Sequence, residues 1–156
     1  MRTELLNQLN QETHLADEMI RLLDDEREAL ATADAPLLQQ CALRKQTLIA
    51  ELEAQARKWL ERVAKLGYRR ESGTLRDFLL RCDPTQTLAR RSDTLHEKLA
   101  LCRDKNQING RAINLGQRHT EMALSVLKGQ LPGGNCAYNR AGKATTQPYG
   151  CTLTQA

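Results

Sequence analysis

Between Pro84 and about Lys128 the chain repeats apolar and small residues at alternating steps of four and three. The series is Leu88, Ser92, Leu95, Leu99, Cys102, Asn106, Asn109, Ile113, Gly116, Thr120, Ala123 and Leu127. A repeat of this kind restricts the fold more than any other feature, because it specifies a long helix whose single seam other helices must cover. Asp83 is placed as an N-cap, Pro84 suits a first helical turn, and Gln86 stands where a capping box takes Glu or Gln. About 45 residues at a rise of about 1.5 Å give a rod of about 67 Å. Asn109-Gly110 is the one break signal, since Asn-Gly in an apolar context marks a hairpin turn. The three-four spacing nevertheless continues in phase across it, which argues for an unbroken helix.

The preceding sequence supplies partners for that seam. Thr3 can cap a first helix reaching about Ala33, with a seam at Leu6, Leu9, Thr13, Ala16, Ile20, Leu23, Arg27 and Leu30. Asp17, Glu18, Asp24, Asp25, Glu26 and Glu28 are assigned to its solvated face. Asp34-Ala35-Pro36 closes this helix and opens the next, so the two are antiparallel neighbours. The second helix presents Leu38, Cys41, Lys45, Leu48, Leu52, Gln55, Trp59, Val63 and Leu66, and stops at Gly67. After a loop over Tyr68 to Gly73, Thr74-x-x-Asp77 is a capping box for a short helix from Leu75 to Arg81. Leu75, Phe78 and Leu79 of that helix are expected to close one end of the bundle.

From Gly129 the periodicity stops, and residues 129–156 hold five of the nine glycines and two of the four prolines. Such a stretch buries too little apolar surface to offset its ordering entropy, and a flexible tail is the expectation. The predicted fold is therefore all-α: an elongated antiparallel helical bundle or coiled coil of three main helices plus one short one. Residues 1–128 form the helical domain and 129–156 the tail.

Charge is unevenly spread. Residues 1–34 carry a net −6, residues 35–67 a net +3 and residues 84–128 a net +4. An acidic helix beside two basic ones favours their mutual packing and offers no concentrated basic surface. The best nucleic-acid candidate is the cluster Arg57, Lys58, Arg62, Lys65, Arg69 and Arg70, but Glu61 and Glu71 interrupt it. With Trp59 on a seam, only Tyr68 is left to stack on a base. The five cysteines are scattered without a Cys-x-x-Cys, which fits reduced thiols in the cytosol, and Cys41 and Cys102 fall on seams as small fillers. No N-terminal apolar run resembles a signal peptide and no segment approaches a membrane span.

Little suggests catalysis. His14, His96 and His119 stand far apart, and Asp93-x-x-His96 is half of a carboxylate-bridged di-metal motif whose other half is missing. No glycine-rich phosphate loop joins a strand to a helix. No cofactor, no metal and no enzymatic activity are expected.

Packing is more informative. Two helices of roughly 30 residues span about 45 Å and leave some 20 Å of the long helix uncovered. There a second stripe runs beside the seam: Ile108, Ala112, Leu115, His119, Met122 and Val126. It is buried by the chain's own short helix or in a homodimer, or it receives a partner helix.

Three motifs carry a family resemblance. Leu43-Arg44-Lys45-Gln46-Thr47-Leu48-Ile49 in the second helix, Asn106-x-x-Asn109-Gly110 with Leu115 downstream in the long helix, and Tyr138-x-x-x-Gly142 in the tail occur in the order found in the FlgN family of flagellar export chaperones. The chain resembles that family over nearly its whole length. Ile49 stands where the family has Leu, and the extension after Gly142 has no counterpart to carry over. The resemblance implies a cytosolic chaperone of flagellar type III secretion that binds C-terminal segments of the two hook–filament junction proteins. It further implies that Tyr138 and Gly142 contact the export gate. Cargo contact would fall toward the C-terminal part of the chain, where Ile108, Ala112, Leu115, Met122 and Val126 form the apolar stripe. Two readings from other classes stay open, a self-associating coiled-coil scaffold and a basic helical nucleic-acid-binding module.

Overall fold

The computed structural model describes residues 1–69, 71 and 73–128, together with the backbone of two short strands at 136–138 and 144–146. The protein is an all-α helical bundle. Four helices follow in chain order: α1 (Arg2–Thr32), α2 (Ala35–Lys65), α3 (Leu75–Cys82) and α4 (Thr87–Leu127). Strands β1 (Cys136–Tyr138) and β2 (Ala144–Thr146) pair antiparallel, with Ala137 opposite Thr145. The aperiodic sequence gave no hint of this pair, although Tyr138, Thr145 and Thr146 are residue types that strands favour. The flexible tail expected over 129–156 concerns a stretch of which only the backbone of these two strands is described. The chain separates into two units, Met1–Ile113 and Asn114–Ala156.

In the first unit α1 and α2 are antiparallel, joined at Ala33 and Asp34. Ala33 ends α1 in the left-handed region (φ 56°), and the Asp34 carboxylate accepts the Leu37 N–H at 3.0 Å to cap α2. α2 closes with Gly67 at φ 93°, where Tyr68 N–H reaches Val63 C=O and Gly67 N–H reaches Ala64 C=O. That pair of bonds is a Schellman motif, and glycine fills its left-handed position without strain. The Thr74–Asp77 capping box forms as expected and opens α3.

α4 begins three residues later than expected. Pro84 lies in a turn closed by Gln86 N–H to Asp83 C=O, and Gln86 adopts φ 60°. Asp83, at 1% exposure, is buried. Its carboxylate accepts the Thr85 hydroxyl at 2.7 Å, the Thr85 N–H and the Leu88 N–H. Asp83 thus still caps α4, but from across a turn, and Gln86 makes no capping box. Thr3 likewise lies inside α1, whose N-cap is Met1. Asn109-Gly110 does not break α4. The Asn109 amide donates to Leu23 C=O at 2.8 Å, so its side chain is engaged across the helix pair and not in a turn.

Ion pairs show α4 running parallel to α1: Lys98 meets Asp17 at 2.5 Å, and Lys105 meets Asp24. α1 touches α2 as well, through Arg44–Glu18 at 2.7 Å and a Gln8 amide that donates to Gln55 C=O. Serving two neighbours shifts its buried face. Leu5, Leu9, Glu12, Ala16, Met19, Leu23 and Glu26 are buried, whereas Leu6, Ile20 and Leu30 are half-buried and Arg27 is exposed. The buried series still steps by three and four. Two apolar clusters result. One joins Leu5, Leu9, Trp59, Val63, Phe78, Leu79, Leu88 and Leu95 where α3 closes the bundle, and the other joins Met19, Leu23, Leu48 and Cys102.

Candidate functional site

Beyond these clusters a polar knot ties the three long helices together. Glu26 was assigned to the outer face of α1 and is instead buried. Lys45 of α2 donates to both of its oxygens at 2.5 and 2.7 Å, and Asn109 of α4 donates to one of them at 2.9 Å. Lys45 also donates to the side-chain amide oxygen Oδ1 of Asn106 at 3.2 Å. Lys45, Asn106 and Asn109 belong to two sequence motifs about sixty residues apart, and the fold brings Lys45 and Asn109 onto one carboxylate while Asn106 accepts from Lys45. A buried ion pair of this kind fixes register more than it adds stability, because desolvation offsets much of its attraction. The knot therefore sets how α4 lies along α1.

Register decides which residues of α4 are covered. Asn109 pairs with Leu23 and Glu26, so α1, which ends at Thr32, runs out near Ile113. From Asn114 to Lys128 every side chain is exposed except Ser125, which is half-buried. The predicted seam is thus realised as far as Asn109, and Gly116, Thr120, Ala123 and Leu127 are exposed.

The second stripe begins at Ile108 and Ala112 and continues along this exposed length. Ile108 is 46% exposed, Leu115 57%, Met122 55% and Val126 56%, and Ala112 is exposed beside them. Three- and four-residue steps place all five on one side of α4, together with His119. Leu101, also exposed, lies seven residues before Ile108 and extends the row; the exact seven-residue spacing Leu101, Ile108, Leu115, Met122 is the signal that would have included it. Scattered exposed leucines are ordinary, but an aligned row of large apolar side chains is a candidate docking surface. Its chemistry is apolar burial. A large anchor of such a face contributes about 1–3 kcal/mol to binding.

The other sites considered resolve into structural roles. Asp93 accepts from Arg76 at 3.2 Å, and His96 Nδ1 lies 2.7 Å from the Ser92 carbonyl oxygen. Burial pushes the Cys41 and Cys102 thiols up, away from the reactive thiolate, and Cys102 Sγ–H points at Ala16 C=O. In the basic cluster, Lys58, Arg62 and Lys65 share a cleft with Glu4 and Glu61, which mixes its charge. Trp59 is buried, and half-buried Tyr68 packs on Phe78 with ring centroids 5.5 Å apart, so both rings are engaged with the core. Arg70 lies outside the described residues. No described helix is long and apolar enough to cross a membrane.

The backbone of Tyr138 lies in β1, while its side chain, and all of Gly142, lie outside the described residues. Among the described residues, the structure places the five stripe residues together on one side of α4.

No curated protein matches the chain. The crystal structure of a Pseudomonas aeruginosa protein assigned to flagella synthesis as FlgN is 28% identical, with a TM-score of 0.63. The match covers 78% of this chain and 94% of that one. The family model described as FlgN protein matches residues 1–146, which takes in the bundle, the exposed length of α4 and both strands. The chain belongs to the FlgN family.

Proposed function

We propose that this protein is a cytosolic export chaperone of flagellar type III secretion. It binds the C-terminal helical segments of hook–filament junction proteins, keeps them soluble and delivers them to the export gate. Family membership supports the flagellar setting. The observation that carries the binding role is the row Ile108, Leu115, Met122 and Val126, more than two-fifths exposed at each position on a helix that outruns its cover. A protein needing these side chains only for its own core would bury them. In this reading Ala112 provides the low point between the large anchors, where an amphipathic segment can approach closely.

The tail makes the second contact. By its resemblance to the family motif, Tyr138 with Gly142 engages the gate, so that cargo and gate are held by different parts of one chain. Two modest contacts joined through a linker reinforce each other by effective concentration, and each is weak enough to release.

Affinity capture from flagellated cells, with identification of the retained proteins, tests the reading. The wild-type chain is expected to retain hook–filament junction proteins and Met122→Asp to lose them. Tyr138→Ala is expected to retain them while failing to support their export. Retention by Met122→Asp equal to wild type, or loss of cargo by Tyr138→Ala, would contradict the assignment of roles.

A further inference from the structure

The apolar row of α4 has a charged edge. At about 100° per residue, Arg111 and Arg118 lie together on one side of the row Ile108, Leu115, Met122, seven residues apart and in line with it. Neither arginine has an ion pair or side-chain hydrogen bond among the described residues. Lys105, on the opposite edge, is by contrast already paired with Asp24. Glu121 is the single carboxylate between Lys105 and Lys128, and helical spacing turns it about a third of a turn away from the row. The small residues Ala112, Gly116 and Ala123 form the other edge, and a Cβ built on Gly116 meets nothing within 4 Å. Between Ile108 and Val126 one edge of the face thus carries two unpaired arginines and the other only small uncharged residues, while Asp104 and Lys105 stand on the respective edges just before this stretch.

This asymmetry discriminates between occupants. A second copy docking antiparallel about Leu115 would set Arg111 of one chain against Arg118 of the other, and like charges flanking a seam oppose pairing. A parallel copy would set the arginines against Gly116 and Ala123 and leave them unpaired. A helix with carboxylates beside its own apolar row satisfies both arginines at once.

We infer that the face selects an amphipathic helix bearing acidic side chains at seven-residue spacing along one edge of its apolar row. This inference rests on the chaperone reading and specifies the charge pattern of the segment that α4 takes up. Exposed pairs of this kind act mainly on encounter and orientation, so their contribution fades as salt screens them over about 10 Å at 0.1 M and less at higher ionic strength.

Two synthetic helical peptides with the same apolar row test it, one flanked by Glu and the other by Lys at seven-residue spacing. Each is titrated calorimetrically into the full chain, into Arg111→Glu/Arg118→Glu and into Leu115→Asp, at low and high salt, with melting curves confirming that each variant is folded. The acidic peptide is expected to bind the wild-type chain about tenfold more tightly at low salt, a difference of about 1.4 kcal/mol. That preference is expected to reverse in the double arginine variant and to shrink toward unity at high salt. Equal affinity for both peptides, lost in Leu115→Asp, would overturn the charge selection and leave apolar docking standing. Binding of neither peptide, or binding that Leu115→Asp does not change, would overturn both. A tight dimer in sedimentation, dissociated by Leu115→Asp, would assign the face to a second copy and also overturn the inference.

Discussion

Replacing Lys45 with Met tests whether the buried charges of the polar knot depend on one another for stability. Methionine keeps most of the lysine stem, so the change removes chiefly the ammonium. Glu26, with a side chain 5% exposed, then retains only the Asn109 amide, while Lys45 itself is 19% exposed. Removing one partner of a buried pair costs about 3–5 kcal/mol. The remaining amide bond and the partial exposure of Lys45 bring the expected loss to the lower end, about 3 kcal/mol. For a domain near this size that lowers the melting temperature by roughly 10–15 °C. The double variant Lys45→Met/Glu26→Gln leaves no buried charge, and is expected to recover about half of the loss. Thermal and urea melts of both variants and of Glu26→Gln alone complete a double-mutant cycle. A Lys45→Met melt within about 1 kcal/mol of wild type, or a double variant less stable than Lys45→Met, would refute the reasoning.

Further outcomes follow from single sites. Burial raises the carboxyl of Glu12 above the ordinary range, and Gln8 Oε1 beside it is buried without a partner. A raised folded-state value means that the stability it contributes is complete at acid pH and lost as pH rises through that value. Glu12→Gln is therefore expected to melt higher than wild type at pH 7, by roughly 1 kcal/mol, and together with it near pH 4, as differential scanning calorimetry would show. The Thr85 hydroxyl, with the Leu88 and Thr85 N–H groups and the nearby Arg2, holds the Asp83 carboxyl below its usual range. Its contribution is therefore present above the ordinary aspartate value and lost as pH falls below it. The stability gap between wild type and Asp83→Asn should accordingly close on acid titration below about pH 3.9. Ala33 adopts a left-handed conformation that glycine enters freely, and Ala33→Gly is expected to add about 0.5–1 kcal/mol by urea denaturation.

Where a single helix determines its own burial, the sequence was legible. Cys41, Leu48, Trp59 and Val63 of α2 are buried as the heptad steps require, and the caps at Asp34, Gly67 and Thr74 rest on local bonds that neighbouring residues supply. The errors arise where three helices meet. α1 packs on two neighbours, which shifts its buried face toward Leu5, Met19 and Glu26 and away from Leu6, Ile20 and Arg27. Glu26 resembled any other member of an acidic run, because Lys45 and Asn109 reach it only through the tertiary fold. Asp83 was recognised as a cap, but not the turn that interposes Pro84 and Gln86 before the helix. The stripe on α4 was legible because an apolar row wider than one seam is a property of one helix, and its exposure follows from the unequal lengths of α1 and α4. What occupies it is a property of another molecule, and only charge patterning at Arg111 and Arg118 gives this chain's side of the answer.

The central claim is that one stretch of α4 folds the bundle while the next binds cargo. It is tested most directly by pairing thermal melting with calorimetric titration of a helical peptide from the C-terminus of a hook–filament junction protein. Leu95, 4% exposed, and Leu115, 57% exposed, stand on the same helix and receive the same change to Asp. Leu95→Asp is expected to unfold the bundle, since a charge forced into a core costs about 3 kcal/mol or more. Leu115→Asp is expected to melt within about 1 kcal/mol of wild type and to bind the peptide about 1–3 kcal/mol more weakly. A Leu115→Asp variant that melts as early as Leu95→Asp, or that binds the peptide as well as wild type, would contradict the account.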